Sequence, residues 1–340
     1  MDALWHAGPH NALNDIKTVR LGHATHEAAR TGVSVLVFDR PATASVSIIG
    51  QAPGTRDMAA LDPARTVDTI EALVLSGGSA FGLAAADPVM QTLKEQGRGF
   101  AVGTTHVPIV PAAILFDLLN GGTKPRNLPD LYRKLGAEAV SNLDNEQAMG
   151  AIGAGTGATT GAGPGGLGMA SLEFNGHAPK PLAGRRVAAL VAVNAIGSPY
   201  VGASDHFRAA SFLLEGDLPQ HSAEPTGLKD HRPRMKTLVE PGQNTTIGCV
   251  ITDVPLDKRG CFGLATAGQD GLAAALWPAH TALDGDLIVG ASVRPDESSK
   301  SPADLIDPAT MTVLQAASTA CMARAIMRGF ASARDGLAAR

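Results

Sequence analysis

The sequence predicts an α/β fold built in layers, with sheets stacked on one another and helices on either side. Two groups of short β-branched runs carry that prediction, one before residue 76 and one after residue 166, with helical stretches beside each. Composition agrees. Glycine is abundant (39 residues) and aromatics make up only 4%, so Val, Ile, Leu and Ala must fill the core with backbones in close approach.

The first group opens with strands over Lys17–Leu21, Gly32–Phe38 and Ala44–Ile49, and Thr43 to Ile48 alternate polar and apolar side chains. Thr69–Leu75 is a further strand, ending at Ser76-Gly77-Gly78-Ser79, which reads as the cap of a helix running to about Gly97. Pro88 should kink or divide that helix.

Glycine then recurs at 150, 153, 155, 157, 161, 163, 165, 166 and 168. Strands follow over Leu167–Phe174 and Arg186–Ile196. Glu215–Gly242 carries Pro219, Pro225, Pro233 and Pro241 among charges and reads as a long exposed loop. Beyond it come a strand over Thr246–Val254, a helix over Leu256–Leu276, a strand over Asp286–Val293 and a long helix over Ala303–Ala333, interrupted early by Pro308. Because the polar loop precedes a strand, residues 1–340 are expected to form one domain.

Several function classes are disfavoured. The 340 residues are 44% hydrophobic and 18% charged, with net charge −4 and no Lys/Arg run, which argues against a nucleic-acid partner. Met1–Asp15 lacks an apolar core with basic flanks, so it does not read as a secretory signal. The most apolar stretch, Val107–Leu119, is broken by Pro108, Pro111 and Asp117 and falls short of the roughly 20 residues a membrane span needs. Cys249, Cys261 and Cys321 are odd in number and scattered, which fits a reducing cytoplasm better than a disulfide or zinc framework. The histidines show no metal-ligand spacing; His23 and His26, in a turn-like region, read as surface or structural. No metal or organic cofactor is expected.

Neither Gly153-x-Gly155 nor Gly155-x-Gly157 goes on to complete a dinucleotide fingerprint, since Ala158 and Thr160 fall where the third glycine belongs, and no G-K-[ST] follows the glycine segment. Ser79 lacks the second glycine of a nucleophile elbow and reads as a helix cap. Asn244-Thr245-Thr246 is a formal glycosylation sequon, but it closes the polar loop and opens an apolar strand. A Thr there can attack the carbonyl before it, and the freed α-amine, with a pKa of about 7.7–8.0, can then serve its own hydroxyl as base. Asp284-Gly285-Asp286 reads first as a turn, although residues two apart on extended chain could aim both carboxylates at one cationic amine. Asn194 ends an apolar run. It reads first as structural, and secondly as an oxyanion donor.

Seven segments in this order resemble the L-aminopeptidase/D-Ala esterase-amidase (DmpA-type) family, which includes β-peptidyl aminopeptidases and nylon-oligomer hydrolases. They are Asn11–Asp15, Val19–His23, Leu75–Leu83, Val107–Ala113, Gly153–Ala158, Asn244–Ile247 and His280–Asp286. The resemblance implies a four-layer α/β/β/α sandwich, Ntn-hydrolase-like and shared in type with ornithine acetyltransferases. It implies self-cleavage between Asn244 and Thr245 into chains 1–244 and 245–340, with Thr245 as nucleophile, Asn194 in the active site, and Asp284 and Asp286 lining the nucleophile. It also implies a small peptide or amide substrate and a homo-oligomer, a tetramer of processed protomers. Two positions depart from family members: Phe116 stands where some carry Tyr before an Asp, and Ala162 where the nylon-oligomer hydrolase carries Lys. The rival expectations are an acyltransferase of the ornithine-acetyltransferase kind and a binding protein on the same fold that has lost its chemistry.

Overall fold

In the computed structural model, residues 3–143, 147–218, 233–236, 244–293 and 306–338 are described. The strands are β1 (Trp5–Ala7), β2 (Val19–His26), β3 (Thr31–Ile48), β4 (Gly54–Arg56), β5 (Thr69–Ser76), β6 (Phe100–Val102), β7 (Thr105–Val107), β8 (Ala112–Ile114), β9 (Thr159–Thr160), β10 (Gly163–Pro164), β11 (Gly166–Phe174), β12 (Arg186–Asn194), β13 (Thr245–Thr252) and β14 (Leu287–Ser292). The helices are α1 (Ala86–Glu95), α2 (Leu128–Ser141), α3 (Lys258–Ala275) and α4 (Pro308–Ala338).

Ten strands hydrogen-bond in the order β1-β11-β12-β13-β14-β3-β5-β8-β4, with β2 on β3. The ladder folds over on itself at β3. The second half of β3 pairs with β14 through Ala44↔Ala291 and Val46↔Val289, whereas its first half pairs with β2 and β5 through Leu36↔Leu21 and Leu36↔Leu73. The register shifts between Val37 and Ala42, where Pro41 has no N–H to give the ladder. Gly32–Phe38 and Ala44–Ile49 are therefore one strand shared by two sheets, not two strands.

Side-chain alternation sorts the layers. On β12, Ala188, Leu190 and Ala192 face a core with Leu36, Leu73 and Leu75 of the other sheet. The alternate residues Val187, Ala189, Val191 and Val193 face the layer of α3 and α4. On β3, Val33, Val35 and Val37 turn outward onto α1 and α2, together with Ala72 and Val74 of β5. The result is the four-layer α/β/β/α sandwich.

Local chemistry accounts for the helix ends. Asp257 caps α3 by accepting the Gly260 N–H at 2.7 Å, and Asp307 caps α4 by accepting the N–H groups of Ala309 and Thr310. Pro308 is thus the first residue of α4, where its missing N–H costs nothing, and does not interrupt the helix. Ser79 is not a helix cap: Gly78 holds the cap position at φ 86°, no side chain caps the segment, and a 3₁₀ stretch over Ser79–Ala85 leads into α1. Pro88 lies in the first turn of α1. His23 and His26 lie on β2 and not in a turn, and His23 Nδ1 meets Ser34 Oγ at 2.9 Å. Of the expected loop Glu215–Gly242, only 215–218 and 233–236 fall within the described residues.

Candidate active site

Sheet topology assembles the site. β13 and β14 run parallel, so their N-terminal ends lie side by side and Asn244 bridges Asp284. β12 runs antiparallel to β13, which brings its C-terminal end to the same edge and sets Asn194 opposite Thr245. Asn194, Asn244, Thr245, Asp284 and Asp286 are thereby gathered in one place, and each is at most 1% exposed.

The peptide between Asn244 and Thr245 sits in a tight polar clasp. Thr245 Oγ donates to the Asn244 carbonyl oxygen at 2.5 Å, and the Gly285 N–H donates to the same oxygen at 2.8 Å. Gly285 has to be glycine there, because a Cβ would lie 2.4 Å from the Ala52 carbonyl oxygen and 2.7 Å from Thr245 Oγ. Both polar atoms of the Asn244 side chain are buried without a partner among the described residues.

The two carboxylates hold backbone. Asp284 accepts the Ile196 N–H at 3.2 Å through one oxygen, and the Thr281 N–H and hydroxyl, at 3.0 and 2.6 Å, through the other. Asp286 accepts the Thr246 N–H at 2.8 Å through one oxygen, and its other oxygen lies 3.0 Å from both the N–H and Nδ1 of His280. Burial raises the pKa of Asp284, and the Asp286 charge raises it further. The turn and the paired carboxylates therefore coexist.

Asn194 orients by its neighbours. Its Nδ2 donates to the Phe116 carbonyl at 3.1 Å, while its Oδ1 accepts the Thr159 N–H at 3.0 Å and Lys236 Nζ at 3.2 Å. A cavity of about 240 Å³ opens here, walled by Phe116, Asp117 and Leu119 on one side and by Thr159, Lys236 and Asn244 on the other. Asp117, held by the Thr31 hydroxyl at 2.5 Å and the Gly78 N–H at 2.8 Å, is raised in pKa by burial. Tyr132 gives its hydroxyl to the Thr31 contact at 2.9 Å and does not wall the cavity, so it does not replace the hydroxyl missing at Phe116. Ala162 packs against the core beneath α4 and bonds Thr160 Oγ through its N–H.

Lys236 escaped sequence reasoning because a lysine in a Pro-rich charged loop reads as a solvated residue. Burial lowers its pKa to about 7, with the Asp284 charge opposing. His280, which opens one of the seven segments but is given no role by the sequence, takes φ 56° and has a raised pKa: burial disfavours its cation, but the hydrogen bond and charge of Asp286 outweigh that effect.

Residues 11–338 match peptidase family S58. An uncharacterized aminopeptidase of Mycobacterium tuberculosis is 35% identical over 336 residues, covering 95% of this chain and 94% of the relative. Among solved structures, a Burkholderia sp. beta-aminopeptidase superposes with TM-score 0.68 at 19% identity, covering 97% of this chain and 88% of the other. The L-aminopeptidase D-Ala-esterase/amidase of Ochrobactrum anthropi, described as a variant of the Ntn hydrolase fold, gives 0.66 at 16% identity, covering 98% and 89%. At those identities the two structures speak for the fold, and the family match and the mycobacterial relative speak for descent: this chain is a member of peptidase family S58.

Proposed function

We propose that the chain cuts itself between Asn244 and Thr245 and then hydrolyses amide bonds of small peptides or amino-acid amides, with Thr245 as nucleophile. The placement of Thr245 Oγ 2.5 Å from the oxygen of the carbonyl it would attack carries this reading, with the Gly285 N–H already on that oxygen. Oγ adds to the Asn244 carbonyl carbon, the Gly285 N–H stabilises the oxyanion, and the C–N bond breaks as the proton lost from Oγ passes to the Thr245 nitrogen, leaving an ester and an amine. Water hydrolyses the ester into an Asn244 carboxylate and a free Thr245 α-amine. That amine, with an ordinary pKa of about 7.7–8.0, takes the Oγ proton when a substrate carbonyl arrives. Asn194 and backbone N–H groups stabilise the substrate oxyanion, and water resolves the acyl-enzyme. Aminopeptidase action is supported by the name of the mycobacterial relative.

Intact-mass measurement tests the first step. Fragments of 244 and 340 − 244 = 96 residues are expected, the smaller beginning at Thr245, while Thr245→Ala stays whole and inactive. Amide turnover by a chain continuous through 244 and 245 would overturn the reading.

A further inference from the structure

Lys236 is a half-buried lysine with no assigned task, delivered to the cavity by a seated piece of chain. Its N–H donates to the Ile196 carbonyl at 3.0 Å. At Gly161 an added Cβ would lie 2.5 Å from the Arg234 carbonyl oxygen, so the strand of chain before Lys236 is pressed close there. The Arg234 guanidinium lies 5.9 Å from the ring centre of Tyr200. These contacts, with the β9–β10 turn and with the chain that follows β12, fix where the lysine enters.

Its ammonium meets Asn194 at Oδ1, 3.2 Å away, and at the carbonyl oxygen, 3.5 Å away. We propose that Lys236 is a positioning residue for the hydrolysis, holding the Asn194 amide in one orientation and polarising it so that its N–H side donates more strongly to the substrate oxyanion. An ammonium has donors and no acceptor, and the Thr159 N–H is a second donor on the same oxygen. Were the amide reversed, its NH₂ would face two donors and the Phe116 carbonyl would face an oxygen. Hydrogen bonds in series also strengthen one another, by roughly 10–30% per bond. The cation stands on the cavity wall beside Asn244, where the chain lacks the Tyr hydroxyl at Phe116 and the Lys at Ala162.

This inference rests on the proposed hydrolase function, and the parent chain separates the two: if it is neither cut nor active, that function fails before any variant is made. With an active parent, kcat and KM are measured on L-amino-acid 4-nitroanilides for Lys236→Met, Lys236→Arg, Asn194→Ala and the Asn194→Ala/Lys236→Met double variant, each checked for folding by thermal melt. Lys236→Met should lose on the order of 10-fold in kcat, less than the ~10²–10³ of deleting an oxyanion donor outright, with KM little changed. Lys236→Arg should restore most of it. In the Asn194→Ala background the same change should have little further effect, because the two residues act as one unit. Lys236→Ala assayed with added methylammonium is the second route, and the small cation should recover part of kcat. A folded Lys236→Met with parental kcat, or losses that simply add in the double variant, would overturn the proposal.

Discussion

The carbonyl oxygen of Asn244 accepts the N–H of Gly285 at 2.8 Å, across the parallel junction where β13 and β14 begin. That one bond links the peptide of the proposed cut to the turn between the two buried carboxylates. It also explains why the turn contains glycine: the backbone has to approach Thr245 Oγ more closely than any side chain allows.

Gly285→Ala should therefore impair self-cleavage while the fold survives. The new methyl would push against Thr245 Oγ and the Ala52 carbonyl, displacing the N–H from its place on the Asn244 oxygen. A slowing on the order of 10²-fold is expected, by comparison with loss of one oxyanion donor, read as the fraction of uncut chain over time. Cutting at the parental rate would show that this N–H does not stabilise the oxyanion.

Asp286→Ala should destabilise the chain as well as stop processing. The change leaves the Thr246 and His280 N–H groups without their acceptor in a buried setting, at about 1–3 kcal/mol for each. Urea unfolding in a Thr245→Ala background measures this with every molecule uncut. An unchanged midpoint would mean that water or a neighbour takes over both donors.

Much of this was legible in sequence, and the exceptions share a cause. Asn194 and Thr245 lie at the ends of apolar runs and Asp284 and Asp286 just before one, and strand ends are what a sheet brings together, but site roles for the four come from the family resemblance. The seven ordered segments also marked the family. Continuity of β3 was hidden because Pro41 and the charges at Asp39 and Arg40 look like a turn, although the chain bends there without leaving the sheets. Lys236 and His280 were hidden because their roles depend on contacts that spacing does not reveal, with Asn194 and Asp286. Short elements such as β1, β4 and β8 carry too few residues to show a period.

The His280–Asp286 contact should make stability depend on pH in a defined direction. The pKa of His280 is raised in the folded chain from its ordinary 6.5. Its contribution is therefore fully present below about pH 6.5 and fades as pH rises through the raised folded value. The difference in unfolding free energy between the parent and His280→Ala, measured from pH 5 to 9 in the Thr245→Ala background, should shrink with rising pH. A constant gap would leave the contact with a packing role only.

A buried ion pair joins the two sides of the proposed cut. Arg324 on α4 donates to Asp217 through Nε at 2.7 Å and Nη2 at 2.8 Å, and also to the Ser171 carbonyl and Asn11 Oδ1. Both side chains of the pair are fully buried. Burial alone would raise the pKa of Asp217, but the Arg324 hydrogen bond and charge outweigh it and the net shift is downward. The pair therefore stabilises the fold above the ordinary Asp range, and that contribution is lost as pH falls through the depressed folded value. Asp217→Ala strands a guanidinium in the core, and removing one partner of a buried pair costs about 3–5 kcal/mol. Because Asn11, Ser171 and Asp217 precede the cut and Arg324 follows it, the same change should loosen the two fragments from each other once they form. Purification through a tag on one fragment tests this: the parent should carry both fragments through a urea wash that strips the Asp217→Ala variant of its partner. Equal retention, with equal unfolding midpoints, would show that the hydrophobic layers alone hold the halves together.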